Sequence, residues 1–265
     1  MPGTIKDGLE LSSRESQLIA SSPTSAYRVR LAANLDDVRR AQRLRYQVFN
    51  VEMGEGLESS LECGRDEDKF DQVCDHLIVE STNTGEAIGT YRLQPGEKAE
   101  RNFGFYSEQE FDLEPFHSLR SQIVELGRAC IAKPHRTMVV LGLLWKGIAR
   151  CADVWNARYL IGCSSIPSTN PVIGLSAYHQ LLRYQADARF VTQPNPGFEC
   201  SVGPKRFADL KCDQVEIPRL LRAYLSFGAR ICGEPALDRE FKTIDFLTLM
   251  DLQSLDLRVK QRYFS

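Results

Sequence analysis

Charged residues recur inside segments of this chain that otherwise have the composition of a protein core. They lie in Arg45-Tyr-Gln-Val-Phe49, Asp66-Glu-Asp-Lys-Phe-Asp71, Thr90-Tyr-Arg92 and Val124-Glu-Leu-Gly-Arg128. Burying a charge is costly unless the charge is paired or used. Unlike charges on successive core segments therefore predict a shared polar pocket, which is what a zwitterionic substrate needs.

Glu125 and Arg128 are three residues apart on a predicted strand, so an unbroken strand would point their side chains to opposite faces. A bulge at Gly127 would change the phase and bring both side chains toward one cleft. It would also leave backbone N–H groups of Gly127 to Ala129 to donate to a substrate carbonyl oxygen. The alternative is a surface glutamate with an unrelated arginine nearby.

The residue types indicate roles in the pocket. Three side chains carry the planar donor fork that suits a carboxylate: Arg45, Arg92 and Arg128. Asp68 and Asp71 either pair with a substrate ammonium or fix these arginines, and both interpretations stay open, whereas Asp66 is expected to be solvated. Glu125 is the candidate general base, because an α-amino group is mostly protonated at neutral pH and must lose a proton before it can attack.

Composition bounds the class of protein. The chain has 265 residues, 43% of them hydrophobic, which suffices for a full core, and its net charge of -2 argues against nucleic acid as the main partner. Its eight cysteines form no Cys-x-x-Cys pair and its N-terminus has no secretory pattern, which predicts reduced thiols in the cytoplasm. The apolar runs are too short to span a bilayer, so contact with the inner face of the cytoplasmic membrane would be peripheral.

Two further groups of residues are weighed and set aside. Six residues offer metal ligands, but their spacing matches no structural zinc pattern, so no metal is expected: Cys63, Asp66, Asp68, Cys74, Asp75 and His76. Cys163 ends a predicted strand and could act as a nucleophile, yet a cysteine in that position usually serves as a small hydrophobic residue. A covalent acyl-enzyme is therefore the less favoured mechanism.

Local patterns predict the elements that must position these side chains. Residues 1–26 are interpreted as a flexible polar leader. Asn34 is a predicted helix N-cap, and the apolar stripe of its helix begins at Leu35. A strand, a helix and a strand at residues 123–132, 137–151 and 158–163 predict a parallel pair with a crossover. The other predicted elements are strands at 27–31, 74–80, 87–93, 188–192 and 243–252, a hairpin turn at 83–86, a turn at 194–197, and helices at 171–185 and 218–227.

The charged segments also carry a family resemblance. The ordered pattern Arg45-x-x-x-Phe49, Asp66-x-Asp68-x-Phe70-Asp71, Arg92 and Glu125-x-x-Arg128 resembles the signature of the acyl-homoserine lactone synthases. More closely, the segments 124–131, 141–148, 159–163 and 218–229 resemble the bacterial ornithine Nα-acyltransferases of ornithine-lipid synthesis. The resemblance covers roughly residues 27–264, most of the chain.

This resemblance implies a GNAT-like fold. Such an α/β fold has a mixed, strongly twisted sheet, flanking helices and two splayed parallel strands, in this chain 123–131 and 158–163, that admit the pantetheine arm of an acyl donor. It implies one N-acyltransferase domain over residues 27–265, in which residues 215–265 form a C-terminal extension with an amphipathic helix. That helix would lie at a membrane interface, cover the acyl tunnel or complete the core.

Roles for individual residues follow from the resemblance together with the residue types. The catalytic set is Glu125, Gly127 and Arg128, and the substrate-binding set is Arg45, Phe49, Asp68, Phe70, Asp71 and Arg92. The donor-binding set is Arg136, Gly142, Lys146 and Cys163. The chain has only His135-Arg-Thr-Met-Val-Val-Leu-Gly142 in place of the usual GNAT glycine-rich phosphate loop, which favours an acyl carrier protein over coenzyme A as donor. Four basic residues would face the acidic carrier: Arg136, Lys146, Arg150 and Arg158.

The implied activity is transfer of a (3-hydroxy)acyl chain from acyl carrier protein to the α-amino group of L-ornithine. The amine would attack the thioester directly, giving lyso-ornithine lipid without a cofactor. Three alternatives stay open: acylation of another amino acid such as glycine, synthesis of a lactone signal from S-adenosylmethionine, and a non-catalytic module that binds an acyl carrier or a membrane.

Overall fold

The computed structural model describes residues 26–202 and 215–264, so the predicted leader lies, except for Ala26, outside the described residues. The chain forms two compact units. The first unit consists of the described residues within 1–94, 126–155 and 263–265. The second unit consists of the described residues within 95–125 and 156–262. The fold class is mixed α/β with mostly antiparallel strands and flanking helices, as predicted. A single acyltransferase domain over residues 27–265 stays a prediction.

Strands and α-helices succeed one another along the described residues. In chain order they are β1 (Tyr27–Leu31), α1 (Leu35–Tyr46), α2 (Ser60–Cys63), β2 (Asp75–Ser81), β3 (Ala87–Pro95), α3 (Gly96–Arg101), β4 (Ile123–Ile131), α4 (Met138–Val154), β5 (Tyr159–Ile166), α5 (Pro171–Leu181), α6 (Arg219–Ser226), β6 (Arg230–Ile231), β7 (Ala236–Asp238), β8 (Thr243–Asp251) and α7 (Leu257–Tyr263). Antiparallel pairing joins β1 to β2, β2 to β3, and β8 to β5, β6 and β7.

Helix α1 begins where the sequence predicts it. The Asn34 side chain accepts a hydrogen bond from the Asp37 backbone N–H at 3.0 Å, which caps the first turn. Leu35, predicted to open the apolar stripe, is 54% exposed because it precedes the part of the helix that meets the core. The helix continues as a π-helical turn, Gln47–Met53, which ends at Gly54 with a left-handed φ of 70°. Single π-helical turns occur often at functional sites.

Ion pairs fasten α1 to the neighbouring strands of the first unit. Arg30 of β1 reaches Asp37 of α1 at 2.6 Å and Glu80 of β2 at 2.6 Å. The hairpin between β2 and β3 is confirmed, and Gly85 supplies the left-handed residue of its turn with a φ of 71°. These contacts fix the position of α1, the helix from which Arg45 projects.

The predicted strand, helix and strand in the middle of the chain are confirmed as β4, α4 and β5. The parallel register pairs Ile123 with Tyr159 and continues to Glu125 with Ile161. Thr137 caps α4 by accepting a hydrogen bond from the Val140 N–H at 3.4 Å. Strand β4 contributes residues 123–125 to the second unit and residues 126–131 to the first. Splaying of β4 and β5 around a donor stays a prediction.

The second half of the chain corrects one element and confirms others. The strand predicted at residues 188–192 is wrong, because Ala188–Phe190 is a 3-10 turn that anchors one buried ring, Phe190. Helix α6 is confirmed and places Leu221 and Leu225 in the core of the second unit. Of the three roles open for this helix, completion of the core is therefore favoured. Within residues 26–202 and 215–264, every helix falls short of the length and apolar composition of a membrane span.

Two glycines of α4 offer a matched test of packing in the first unit. A Cβ at Gly147 would lie 2.7 and 2.8 Å from the methyl carbons of Leu77, whereas a Cβ at Gly142 would meet Tyr263 at 3.7 Å, an ordinary contact. We expect Gly147→Ala to lower the free energy of unfolding by about 1–3 kcal/mol, because Leu77 is fully buried. Gly142→Ala should raise that free energy by about 0.5–1 kcal/mol through helix propensity. Urea denaturation measures both, and equal stabilities would contradict this packing.

Candidate active site

Six charged residues come together in the interior of the first unit. Five of them were predicted to share one pocket, whereas Asp66 was expected to be solvated, and Glu125, also predicted for the pocket, belongs to the second unit. Helix α1 supplies one, the segment before β2 supplies three, and β3 and β4 supply one each: Arg45, Asp66, Asp68, Asp71, Arg92 and Arg128. Three guanidinium groups thus face three carboxylates. The formal net charge of this charge network is therefore zero.

A deeply buried two-point contact of the network joins Arg45 to Asp71. Nη1 and Nη2 of Arg45 donate to the two oxygens of Asp71 at 2.9 and 2.6 Å, a bidentate geometry. Burial acts to lower the pKa of Arg45, but Asp71 and Asp66 outweigh it and raise that pKa above its usual value. The expectation that Asp66 is solvated is wrong: its side chain is 0% exposed, with Oδ2 2.8 Å from Arg45 Nε. A buried guanidinium needs this second carboxylate.

Asp68 and Asp71 differ in what their carboxylates can reach. The Asp71 side chain is 3% exposed and also meets Arg92 Nη1 at 3.2 Å, so it serves to fix the arginines. The Asp68 side chain is 15% exposed and meets Arg92 at 2.7 Å and Arg128 at 3.0 Å. Burial acts to raise the pKa of Asp68, but Arg92 and Arg128 lower it below its usual value. Asp68 is therefore the charged carboxylate of the network with the most access to solvent.

The local fold of the Asp66 to Asp71 segment explains how it presents its acids. Asp68 is the N-cap of a 3-10 helix, Lys69–Gln72, and accepts a hydrogen bond from the Phe70 N–H at 2.8 Å, while Asp71 accepts from the Asp68 N–H at 3.2 Å. This reciprocal capping holds both carboxylates at one end of the helix. Phe70 is buried, with the Arg92 guanidinium 5.5 Å from its ring centre, and Phe49 is buried on the π-helical turn.

Arg128 of β4 has a left-handed backbone with a φ of 51°, directly after Gly127, and the bulge predicted at Gly127 stays a prediction. A left-handed backbone costs an ordinary residue roughly 1–2 kcal/mol, and such strain is concentrated at functional sites. The turn of the chain directs Arg128 to the network, where its Nε lies 3.3 Å from Asp66 Oδ2. A Cβ at Gly127 would meet no other described atom within 4 Å, so this backbone is open on that side. An oxyanion site at Gly127 to Ala129 stays a prediction.

His76 contacts the network from β2. Its Nε2 lies 3.1 Å from the Asp71 carbonyl oxygen. Burial lowers the pKa of His76 to about 4, in spite of the nearby Asp71. The imidazole is therefore neutral at pH 7, and with Nε2–H donating to the carbonyl, Nδ1 is an acceptor.

Glu125 belongs to the second unit and is held there by three donors. Its carboxylate accepts from the Tyr106 N–H at 2.7 Å and from the Ser107 N–H and hydroxyl at 2.7 and 2.6 Å. These bonds hold the carboxylate against the first turn of the 3-10 helix Tyr106–Gln109. Glu125 thus has a structural role, and its role as general base stays a prediction.

Cys163 lies beside the same 3-10 helix. Its Sγ is 3.5 Å from Ser107 Oγ and 3.7 Å from Glu110 Oε2. Desolvation, followed by the negative charges of Glu110 and Asp245, raises the pKa of the thiol well above its usual value. A thiol that stays protonated is a poor nucleophile, which disfavours a covalent acyl-enzyme at Cys163.

Three buried carboxylates of the second unit also lie together. Oxygens of Glu110, Asp238 and Asp245 are all within 4.8 Å of one another, a spacing that a metal ion could bridge. Protein groups also stabilise these carboxylates. Burial raises the pKa of Asp245 to about 6, and Thr243 donates a hydrogen bond to Asp245 at 3.2 Å. Asp238 accepts hydrogen bonds from two backbone N–H groups. The expectation that no metal is required stays a prediction.

Three of the four predicted donor-binding residues, Arg136, Gly142 and Lys146, lie on α4 or just before it, whereas Cys163 lies on β5 in the second unit. Arg136 forms a two-point ion pair with Glu52, at 2.6 and 2.8 Å. Lys146 and Arg150 are exposed and lie four residues apart on one face of α4. Arg158 belongs to the second unit, where it pairs with Asp251 at 2.8 Å.

Comparisons with known proteins identify the family. Residues 44–146 match the family model described as an acetyltransferase (GNAT) domain. The chain is 32% identical over 250 residues to the L-ornithine N(alpha)-acyltransferase of Brucella abortus, an alignment that covers 89% of this chain and 87% of that protein. The chain belongs to this acyltransferase family. A relative of the same name from Rhizobium meliloti is 31% identical over 88% of this chain and 83% of its own length. The solved acyl-homoserine lactone synthase LasI is 12% identical, covering 91% of this chain and 95% of that one, with a TM-score of 0.49.

The acyltransferase also buries polar residues that the sequence did not single out: Gln94, Ser107, Glu110, Asp238 and Asp245. A signal existed for Asp245, because it interrupts an apolar strand. Ser107 lies in a polar stretch without periodicity, so nothing local marks it as buried. Gln94 follows Arg92 by two residues, the spacing of side chains that share a strand face.

Neutralising Asp71 should destabilise the acyltransferase strongly. Asp71→Asn leaves Arg45 buried with one carboxylate fewer, and losing one partner of a buried pair costs about 3–5 kcal/mol. Glu67→Gln is the control, because Glu67 is exposed and pairs with Arg65 at 3.0 Å on the surface. Urea denaturation at pH 7 should show a large loss for the first variant and none for the second. Equal midpoints would mean that the network does not hold the unit together.

Proposed function

We propose that this N-acyltransferase moves a 3-hydroxyacyl chain from acyl carrier protein to the α-amino group of L-ornithine, producing lyso-ornithine lipid. The observation that carries the proposal is the similarity of 85–89% of the chain, at 31–32% identity, to three relatives named L-ornithine N(alpha)-acyltransferase. The charge network also supports an amino acid as the acceptor, because a set of paired charges with no net charge suits a zwitterionic substrate.

Asp68 is the proposed partner of the second amino group of ornithine. Its carboxylate is charged, and its side chain is the most exposed of the three acids in the network. Asp66 and Asp71 are 0% and 3% exposed and are committed to arginines. An ammonium group that approaches from solvent therefore meets Asp68 first.

The proposed reaction is direct aminolysis of the thioester. The α-ammonium loses a proton to Glu125, directly or through water, and the neutral amine attacks the thioester carbonyl. Backbone N–H groups of Gly127 to Ala129 stabilise the negative charge that develops on the carbonyl oxygen. The C–S bond then breaks and the nitrogen gives up its extra proton, which leaves the amide. The leaving thiolate takes up one proton, so the carrier departs as a thiol.

The proposed donor is an acyl carrier protein, recognised by charge. Lys146 and Arg150 present two cations on one exposed face of α4, and carrier proteins are acidic. Since the product is a lipid, we also propose peripheral contact with the inner face of the cytoplasmic membrane. Met138 and Val139 are exposed at the start of α4, beside Arg136, and suit such contact.

Substrate selection tests the role of Asp68. L-Norvaline is ornithine without its δ-amino group, so we expect the protein to favour ornithine over norvaline in kcat/KM by at least about tenfold. Asp68→Asn should abolish most of this preference while leaving norvaline nearly unaffected. The assay uses 3-hydroxyacyl carrier protein and detects the acylated amino acid by mass spectrometry.

The outcomes of this assay separate the claims. Acylation of glycine but not ornithine, or of neither, would refute the proposed function. An equal loss on both substrates would assign Asp68 to the scaffold of the pocket and not to the δ-ammonium. Lyso-ornithine lipid in the lipid extract of an expressing strain, and its absence without the chain, would support the reaction in cells.

Charge reversal on α4 tests the donor. The double variant Lys146→Glu/Arg150→Glu should raise KM for acyl carrier protein by about tenfold at low salt, since like charges now face the carrier. KM for the corresponding acyl-coenzyme A should change little. The control, Arg219→Glu/Arg222→Glu, makes the same charge change on the exposed side of α6. If both double variants behave alike, α4 is not where the carrier docks.

A further inference from the structure

Gln94, near the end of β3, has a buried side-chain amide whose hydrogen-bonding needs are not met. Its side chain is 1% exposed, and within residues 26–202 and 215–264 neither the amide nitrogen nor the amide oxygen has a hydrogen-bond partner. A buried primary amide without partners is costly, and few are found in native proteins. Such a side chain lowers the stability of the free protein, and a ligand that forms hydrogen bonds with the amide would compensate for this loss.

The position of Gln94 on β3 places this amide beside the charge network. Side chains two residues apart on a strand share a face, so Gln94 lies on the same face as Arg92, about 7 Å further along. Arg92 donates to Asp68 Oδ1 at 2.7 Å from that face. Asp68 is the acid of the network with access to solvent. A substrate that enters beside Asp68 therefore approaches the face that carries Gln94.

A second polar atom without a partner lies on the same face. His76 of β2 is directly opposite Arg92 in the antiparallel register, and opposite residues share a face of the sheet. His76 is 2% exposed, and its Nδ1 has no hydrogen-bond partner in the described part of the chain. Its Nε2 is engaged with the Asp71 carbonyl. The face thus offers two neutral acceptors, Gln94 Oε1 and His76 Nδ1, and one neutral donor, Gln94 Nε2.

We propose that Gln94 and His76 form the subsite for the α-amino-acid head of the acceptor substrate. The α-amino group donates to Gln94 Oε1 and His76 Nδ1, and Gln94 Nε2 donates to the α-carboxylate. This assignment rests on the proposed function, since it requires that the acceptor is an amino acid. Neutral partners suit this task because they hold the amine without opposing its deprotonation, which a carboxylate partner would do.

Replacement of Gln94 by methionine separates a substrate contact from a structural one. Gln94→Met keeps the shape and removes the unsatisfied amide, so the melting temperature should rise by about 2–4 °C. KM for L-ornithine should rise about tenfold, and KM for the acyl donor should stay the same. Gln42→Met is the matched control: Gln42 is buried too, but its Nε2 donates to Asp71 Oδ2 at 3.2 Å. That variant should melt at a lower temperature.

Each other result overturns a defined part of the argument. A Gln94→Met protein with the wild-type KM for ornithine, or with a lowered melting temperature, would refute the subsite while the acylation of ornithine stands. A wild-type protein that fails to acylate ornithine in the same assay would refute the proposed function before any variant is compared. Gln94→Leu, of similar volume, provides the same measurements if Gln94→Met yields no soluble protein.

Discussion

A guanidinium group buried as deeply as that of Arg45 is stable only where carboxylates surround it. Asp71 meets this requirement with both oxygens and Asp66 with one, and each of these acids meets a further arginine. The need for charge balance therefore links α1, the segment before β2, and strands β3 and β4. Because each charge is held by others, the polar surface of the first unit is set before a substrate arrives.

A preformed surface of this kind has a defined chemical preference. Its fixed charges cancel, and Gln94 and His76 add neutral polar atoms that have no hydrogen-bond partner among the described residues. A ligand whose charges are all of one sign gains little there, whereas one that carries both signs matches it at several points. Preorganisation also lowers the entropy lost when an amino acid is ordered for attack.

The sequence predicted what depends on local patterns and on charge type. The Asn34 cap, the hairpin turn at Gly85 and the order β4, α4, β5 follow from a few neighbouring residues. Five of the six charged residues of the network were identified because buried charges require partners. Exposure was harder to predict: Asp66 is buried because of Arg45 and Arg128, which are remote in sequence. Residues 188–192 were predicted to form a strand, but Ala188–Phe190 forms a 3-10 turn whose Phe190 ring is buried. Gln94 has no local signal, since lack of a partner is a property of the tertiary structure.

Arg128 combines two demands that no other residue type meets together. Its left-handed backbone would favour glycine, while its guanidinium is required opposite Asp66 and Asp68. Glycine would relax the chain and leave two acids poorly neutralised, and lysine would keep the charge but lose the two-point reach of the guanidinium. Almost every substitution at position 128 should therefore be harmful. Engineering of this enzyme should keep Arg128 and vary the residues around it.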